Sequence, residues 1–136
     1  MRLHYDVKGN ELLAAGEASS NLKRKLKKLG IPDESIRKIA IATYEAEINM
    51  VIHANGGVID ADIFPDRIHV CLKDTGPGIV DIEQAMQEGF STAGKEARDL
   101  GFGAGMGLPN MKKFSDEFRI STEIGKGTLV ELIVNF

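Results

Sequence analysis

Leu3, Tyr5 and Val7 alternate with polar neighbours over residues 2–7, the period of two that a half-buried strand requires. Over 14–29 the spacing changes to three and four, placing Ala15, Ala18, Leu22, Leu26 and Leu29 on one helical stripe. The opposite face carries Lys23, Arg24, Lys25, Lys27 and Lys28, either a partner-docking patch or a solvated helix face, and solvation is the simpler reading. Gly30 closes this helix and Pro32-Asp33 opens a second, predicted over 34–54, whose stripe is Ile36, Ile39, Ala40, Thr43, Ala46, Met50 and Val51. Asn55-Gly56-Gly57 stops it. Ile59, Ala61 and Ile63 then alternate with Asp60 and Asp62 over 58–64. Ile68, Val70 and Leu72 alternate with Arg67, His69 and Lys73 over 67–73, completing a hairpin with one buried face. Residues 117–124 and 128–136 repeat the arrangement around Gly125-Lys126-Gly127. Between the hairpins lie a polar helix at 81–88, an aperiodic stretch at 88–105 and a short helix at about 109–114. Hairpins with helices on one side predict an α/β two-layer sandwich, a single domain over residues 1–136.

Composition narrows the functional classes. The chain of 136 residues is 43% hydrophobic and 27% charged, as a globular domain is and a disordered chain is not. Seventeen basic against twenty acidic residues leave a net charge of -3, so nothing in the charge favours binding to nucleic acid. The lone Cys71 excludes an intramolecular disulfide framework and fits a reducing compartment. No apolar run reaches membrane-spanning length, and Met1-Arg2-Leu3-His4 does not lead into a signal-peptide core, so a cytoplasmic protein is expected. The 15 glycines are in excess for a compact domain, and their clustering points to the chemistry.

Three constellations stand out. Glu45, Asn49 and His53 recur every four residues and project from one side of the long helix. An amide oxygen suits Mg²⁺, and a carboxylate one turn away can accept a proton. His53, near the helix C-terminus, is read as a complement to the helix dipole. Asp74-Thr75-Gly76-Pro77-Gly78 ends a strand with a carboxylate at the sheet's rim, able to accept a hydrogen bond from an exocyclic amine. Gly101, Gly103, Gly105 and Gly107 precede a helix and can offer bare backbone N–H groups to phosphate oxygens. The aperiodic stretch before them reads as a lid, from which Lys95 or Arg98 would reach a γ-phosphate. A dinucleotide fingerprint fails because no buried strand precedes the glycines. A P-loop at 89–95 fails because Glu96 stands where Ser or Thr should bind the metal.

In this order and spacing the motifs resemble the ATP-binding domain of the GHKL superfamily. They are Glu45-x-x-x-Asn49-x-x-x-His53-Ala54, Asp74-x-Gly76-x-Gly78, Gly103-x-Gly105-x-Gly107-Leu108 and Gly125-x-Gly127-Thr128. The short length and the run from Gly105 to Phe118 are similar to its smallest branch, the bacterial anti-sigma-factor and switch-protein serine/threonine kinases. The resemblance implies a Bergerat fold, a mixed, mostly antiparallel sheet with helices on one face. It implies Glu45 as the base toward a serine hydroxyl or a water, and Asn49 as the ligand of Mg²⁺. Asp74 would meet the adenine amino group within the Gly76 and Gly78 loop, with Gly78 beside the ring and Thr128 near the base. Gly103, Gly105 and Gly107, with Leu108 completing the motif, would wrap the phosphates of ATP.

The expected function is therefore an ATP-Mg²⁺-dependent serine/threonine kinase of the anti-sigma type, phosphorylating a small antagonist in a partner-switching pathway. An ATP-binding module read by a partner through its lid, or a slow ATPase, stays open. The implied partner is a protein, a STAS-type antagonist or a sigma factor, which no residue of the chain identifies; a homodimer is also open. A histidine box before the domain and a transducer domain after it are both missing, which argues against a self-contained sensor kinase, a gyrase or a chaperone.

Overall fold

The structure, a computed structural model, describes residues 1–9, 11–54, 56–79, 81–87 and 107–136. The described elements run β1 (Arg2–Lys8), a 3-10 turn (Leu12–Ala14), α1 (Glu17–Lys28), α2 (Asp33–His53), β2 (Gly56–Ile63) and β3 (Arg67–Asp74). They continue with α3 (Ile82–Ala85), α4 (Gly107–Lys113), β4 (Glu117–Glu123) and β5 (Gly127–Asn135). The strands form one sheet in the order β1-β2-β3-β5-β4. All four pairings among the described residues are antiparallel, in keeping with the mostly antiparallel sheet that the resemblance implies. Two hairpins meet through their second strands, β3 and β5.

The period-two pattern sorts the sheet into two faces. Ile59, Ala61, Ile68, Val70, Leu72, Val130, Leu132 and Val134 point inward and are buried. Leu22 and Leu26 of α1, Ile36, Ile39, Ala42, Ala46 and Met50 of α2, and Leu108 and Met111 of α4 cover them. Each fully buried aliphatic side chain contributes about 1.5–3 kcal/mol of burial free energy, so this single layer interface is the main source of stability.

Three helix boundaries differ from expectation for local reasons. α1 begins at Glu17 and not at 14, because Gly16 adopts a left-handed backbone at φ 97°. The buried Glu47 of α2 supplies the missing cap. Its Oε2 accepts hydrogen bonds from the backbone N–H groups of Gly16 and Ala18 at 3.0 and 3.2 Å, and its Oε1 accepts one from Ser19 at 2.9 Å. A carboxylate on the orphan donors of a helix N-terminus satisfies hydrogen bonding and dipole together. Leu29 lies beyond the last turn of α1 and is largely exposed, and Ala40 is only half-buried. The helix expected at 81–88 is the single turn Ile82–Ala85, capped by Asp81 Oδ1, which accepts from Gln84 N at 3.0 Å. α4 starts at Gly107, two residues earlier than expected, so Gly107 is helical and not part of a loop.

Candidate functional site

α2 is the spine of the site. Glu45 and Asn49, one turn apart and half-buried, face the start of α4. A Cβ on Gly107 would lie 3.4 Å from Asn49 Oδ1 and 3.6 Å from Glu45 Oε2, so the start of α4 stands close to both polar groups. Asn110, on the same helix, donates from Nδ2 to Glu45 Oε1 over 3.3 Å and orients the carboxylate. Asn110 was missed as a site residue from sequence; its position one turn after Gly107 was the available signal.

The C-terminal end of α2 touches the second element. Gly76 is buried, and a Cβ there would come within 2.6 Å of Ala54 Cβ. Its N–H donates to Asp74 Oδ1 at 3.0 Å, and Thr128 N donates to the same oxygen at 3.1 Å. The carboxylate thus holds the end of β3 to the start of β5 through one oxygen. Gly127 makes this approach possible: at φ 132° its backbone lies against Asp74, and a Cβ there would fall on the Asp74 carbonyl oxygen. Gly125 N donates to Pro77 O at 2.9 Å, and Ile79 N donates to Thr122 Oγ1 at 2.9 Å, so the β4–β5 hairpin also holds the loop carrying Gly78. Thr128 Oγ1 is 3.0 Å from Thr122 Oγ1. Thr122 was not singled out from sequence, although the hairpin register pairs it with Thr128.

Helix and loop therefore bring together Glu45, Asn49 and Gly107 on one side, and Asp74, Gly76, Gly78 and Thr128 on the other. Leu108 does not join them through its side chain, which is buried in the core and anchors α4. His53 is half-buried, and burial pulls its imidazole below the ordinary 6.5. Gly101, Gly103, Gly105, Lys95, Arg98 and the expected lid at 88–105 lie outside the described residues.

The donors are hard: the amide oxygen of Asn49 and the carboxylate of Glu45, close to each other at Gly107, suit Mg²⁺, and the Asp74 carboxylate with the Thr128 hydroxyl suits the polar edge of a nucleotide. Glu45 also borders a groove of about 1250 Å³ between β1, α1 and α2, lined by Tyr5, Gly16, Asn21, Arg24 and Tyr44 among others. Among the described residues no helix is long and apolar enough to cross a membrane.

Residues 9–134 match the family described as a histidine kinase-like ATPase domain. The serine/threonine-protein kinase RsbT of Bacillus subtilis is 32% identical over 127 residues, which cover 90% of this chain and 87% of that protein. An anti-sigma F factor of Caldanaerobacter subterraneus is 39% identical over 104 residues, 73% of this chain and 69% of that protein. Among solved structures, the RsbU and RsbW domains of a Mycobacterium tuberculosis protein superpose with a TM-score of 0.65 at 19% identity. That match covers 98% of this chain and 32% of the other. The mycobacterial sensor histidine kinase MprB gives 0.56 at 17% identity, covering 99% and 97%. At such identities the two structures speak for the fold alone.

Proposed function

This chain belongs to the histidine kinase-like ATPase domain family, and on that premise we propose that it is an ATP-Mg²⁺-dependent serine/threonine protein kinase of the anti-sigma regulatory type. Its substrate is a small antagonist protein in a cytoplasmic partner-switching pathway, and its relatives' names, a serine/threonine kinase and anti-sigma factors, support that choice.

The observation that carries the reading is the placement of Glu45. It stands beside Asn49 and Gly107, where phosphates would lie, and at the border of the groove between β1, α1 and α2, from which a protein hydroxyl would approach. Bound ATP-Mg²⁺ would supply the γ-phosphoryl group and neutralise its charge. Asn49 would hold the metal through Oδ1. Asp74, held by Gly76 and Thr128 through Oδ1, would offer its other oxygen to the adenine amino group. Gly78 would lie along the ring, and Thr128 would border the base. Glu45, oriented by Asn110, would accept the proton of the attacking serine or threonine hydroxyl at Oε2. The remaining work is positioning, as phosphoryl transfer requires. Lys95 and Arg98, with Gly103 and Gly105, are proposed to close on the phosphates.

Incubation with γ-labelled ATP and a STAS-domain protein tests this. Alkali-labile, acid-stable label on the partner is expected. Nucleotide-dependent association without label would replace the kinase by a binding module, and phosphate release alone would replace it by an ATPase.

A further inference from the structure

The sheet face turned away from the helices carries polar groups that the nucleotide site does not use. Residues two apart on a strand share a face, so His69 and Cys71 stand side by side on β3. The antiparallel register places Glu131 of β5 directly opposite Cys71. One ligand atom from each of the three residues lies within 4.8 Å of the others.

The cluster is incompletely satisfied as it stands. His69 Nε2 is 3.7 Å from Glu131 Oε1, too far for a hydrogen bond, and it is a buried nitrogen without a hydrogen-bond partner among the described residues. Cys71 Sγ reaches the same Glu131 oxygen only at 3.8 Å, a weak thiol contact. The neighbouring carboxylates are already engaged, Asp60 with His4 Nδ1 at 2.6 Å and Asp62 with Arg2 Nε at 2.8 Å. Between them stand an imidazole nitrogen, a thiol and a carboxylate oxygen within 4.8 Å of one another.

Two of the three separations, 3.7 Å from His69 to Glu131 and 3.8 Å from Cys71 to Glu131, lie near the edges of a metal polyhedron, and the third is within 4.8 Å. With bonds of about 2.0–2.1 Å to nitrogen and oxygen and about 2.3 Å to sulfur, a tetrahedral ion has ligand-to-ligand edges of roughly 3.3–3.6 Å. The observed 3.7 and 3.8 Å exceed those edges by a few tenths of an ångström, and side-chain rotation would have to draw all three atoms in from within 4.8 Å. A mixed nitrogen, sulfur and oxygen set selects a borderline-soft cation and is unlike the oxygen donors around Asn49.

We propose that His69, Cys71 and Glu131 form a three-ligand site for a divalent cation of the Zn²⁺ class, with a fourth position open to water on the exposed sheet face. Cys71 enters as the thiolate, its proton passing to solvent. The ion would link β3 to β5, the strands whose ends are joined by Asp74 and Thr128, so occupancy stabilises the strand pair that carries the base-binding end of the site.

The test uses the full chain, freed of metal by chelation and without nucleotide, titrated with Co²⁺ as the spectroscopic probe. One equivalent should bind with a near-ultraviolet thiolate-to-cobalt band and intense tetrahedral visible bands. Zn²⁺ should displace it and raise the thermal midpoint. Cys71→Ser should abolish the near-ultraviolet band, and Glu131→Gln and His69→Ala should each weaken binding by more than about tenfold, the loss typical even of outer-shell partners. Asn49→Ala should leave the cobalt spectrum unchanged. No thiolate band, or a band that survives Cys71→Ser, overturns the site. Should Cys71→Ser fail to fold, undiminished affinity in the Glu131→Gln variant overturns it equally.

Discussion

Thr128 donates its backbone N–H to Asp74 Oδ1 over 3.1 Å, tying the start of β5 in one hairpin to the last residue of β3 in the other. The bond crosses 54 residues of chain and orients a carboxylate at the sheet's rim. Asp74→Ala removes both the orienting acceptor and the group proposed to meet the adenine. Hydrogen bonds to a charged group are worth about 1.5–3 kcal/mol, so nucleotide affinity should fall by roughly 10–100-fold in calorimetric titration. Unchanged affinity would remove Asp74 from the base site.

Glu45→Ala separates chemistry from binding. Loss of a positioned base costs about 10²–10⁴ in rate, so labelled-phosphate transfer should fall within that range while the nucleotide dissociation constant changes by less than about threefold. Asn110→Ala, which frees Glu45 without deleting it, should lower kcat less than Glu45→Ala does. Equal transfer by wild type and Glu45→Ala would reject this residue as the base.

Glu47, two residues from Glu45, has a purely structural assignment. Its carboxylate is buried at 2% exposure and serves three backbone donors of α1. Truncation to Ala leaves those donors unpaired and should destabilise the fold by roughly 2–4 kcal/mol in urea unfolding. A loss below about 0.5 kcal/mol would mean that water replaces the cap freely.

Two histidines should titrate on opposite sides of 6.5. Hydrogen bonds that the His4 imidazole donates to Asp60, and then to Asp6, raise it, whereas burial lowers His53. Below 6.5 and above its folded value, His53 binds more protons in the unfolded chain, so its share of stability is present above 6.5 and is lost on acidification. His4 binds more protons in the folded chain, so its share is present below 6.5 and is lost as pH rises through the raised value. Imidazole NMR titration should find His4 protonating at higher pH than His53; the reverse order would contradict both environments.

Periodicity alone determined a great deal of this protein. Leu3, Tyr5 and Val7, the stripe from Ile36 to Val51, and the alternations at 58–64 and 67–73 follow from the simple demand that apolar positions share a face, and the elements form where that demand puts them. The family was legible as well, because Glu45, Asn49, the Asp74 loop and Gly125-x-Gly127-Thr128 keep their order and spacing along the chain. What spacing cannot encode is which distant groups meet. Tertiary packing alone decided that Glu47 caps α1, that Asn110 orients Glu45, that Leu108 belongs to the core, and that Asp74 joins the two hairpins. It also placed Glu131 opposite Cys71 on the outer face, a juxtaposition set by the β3–β5 register and by no local pattern. Hydrogen bonds and ligand sets depend on ångström separations between residues far apart in sequence, and those exist only once the sheet has closed.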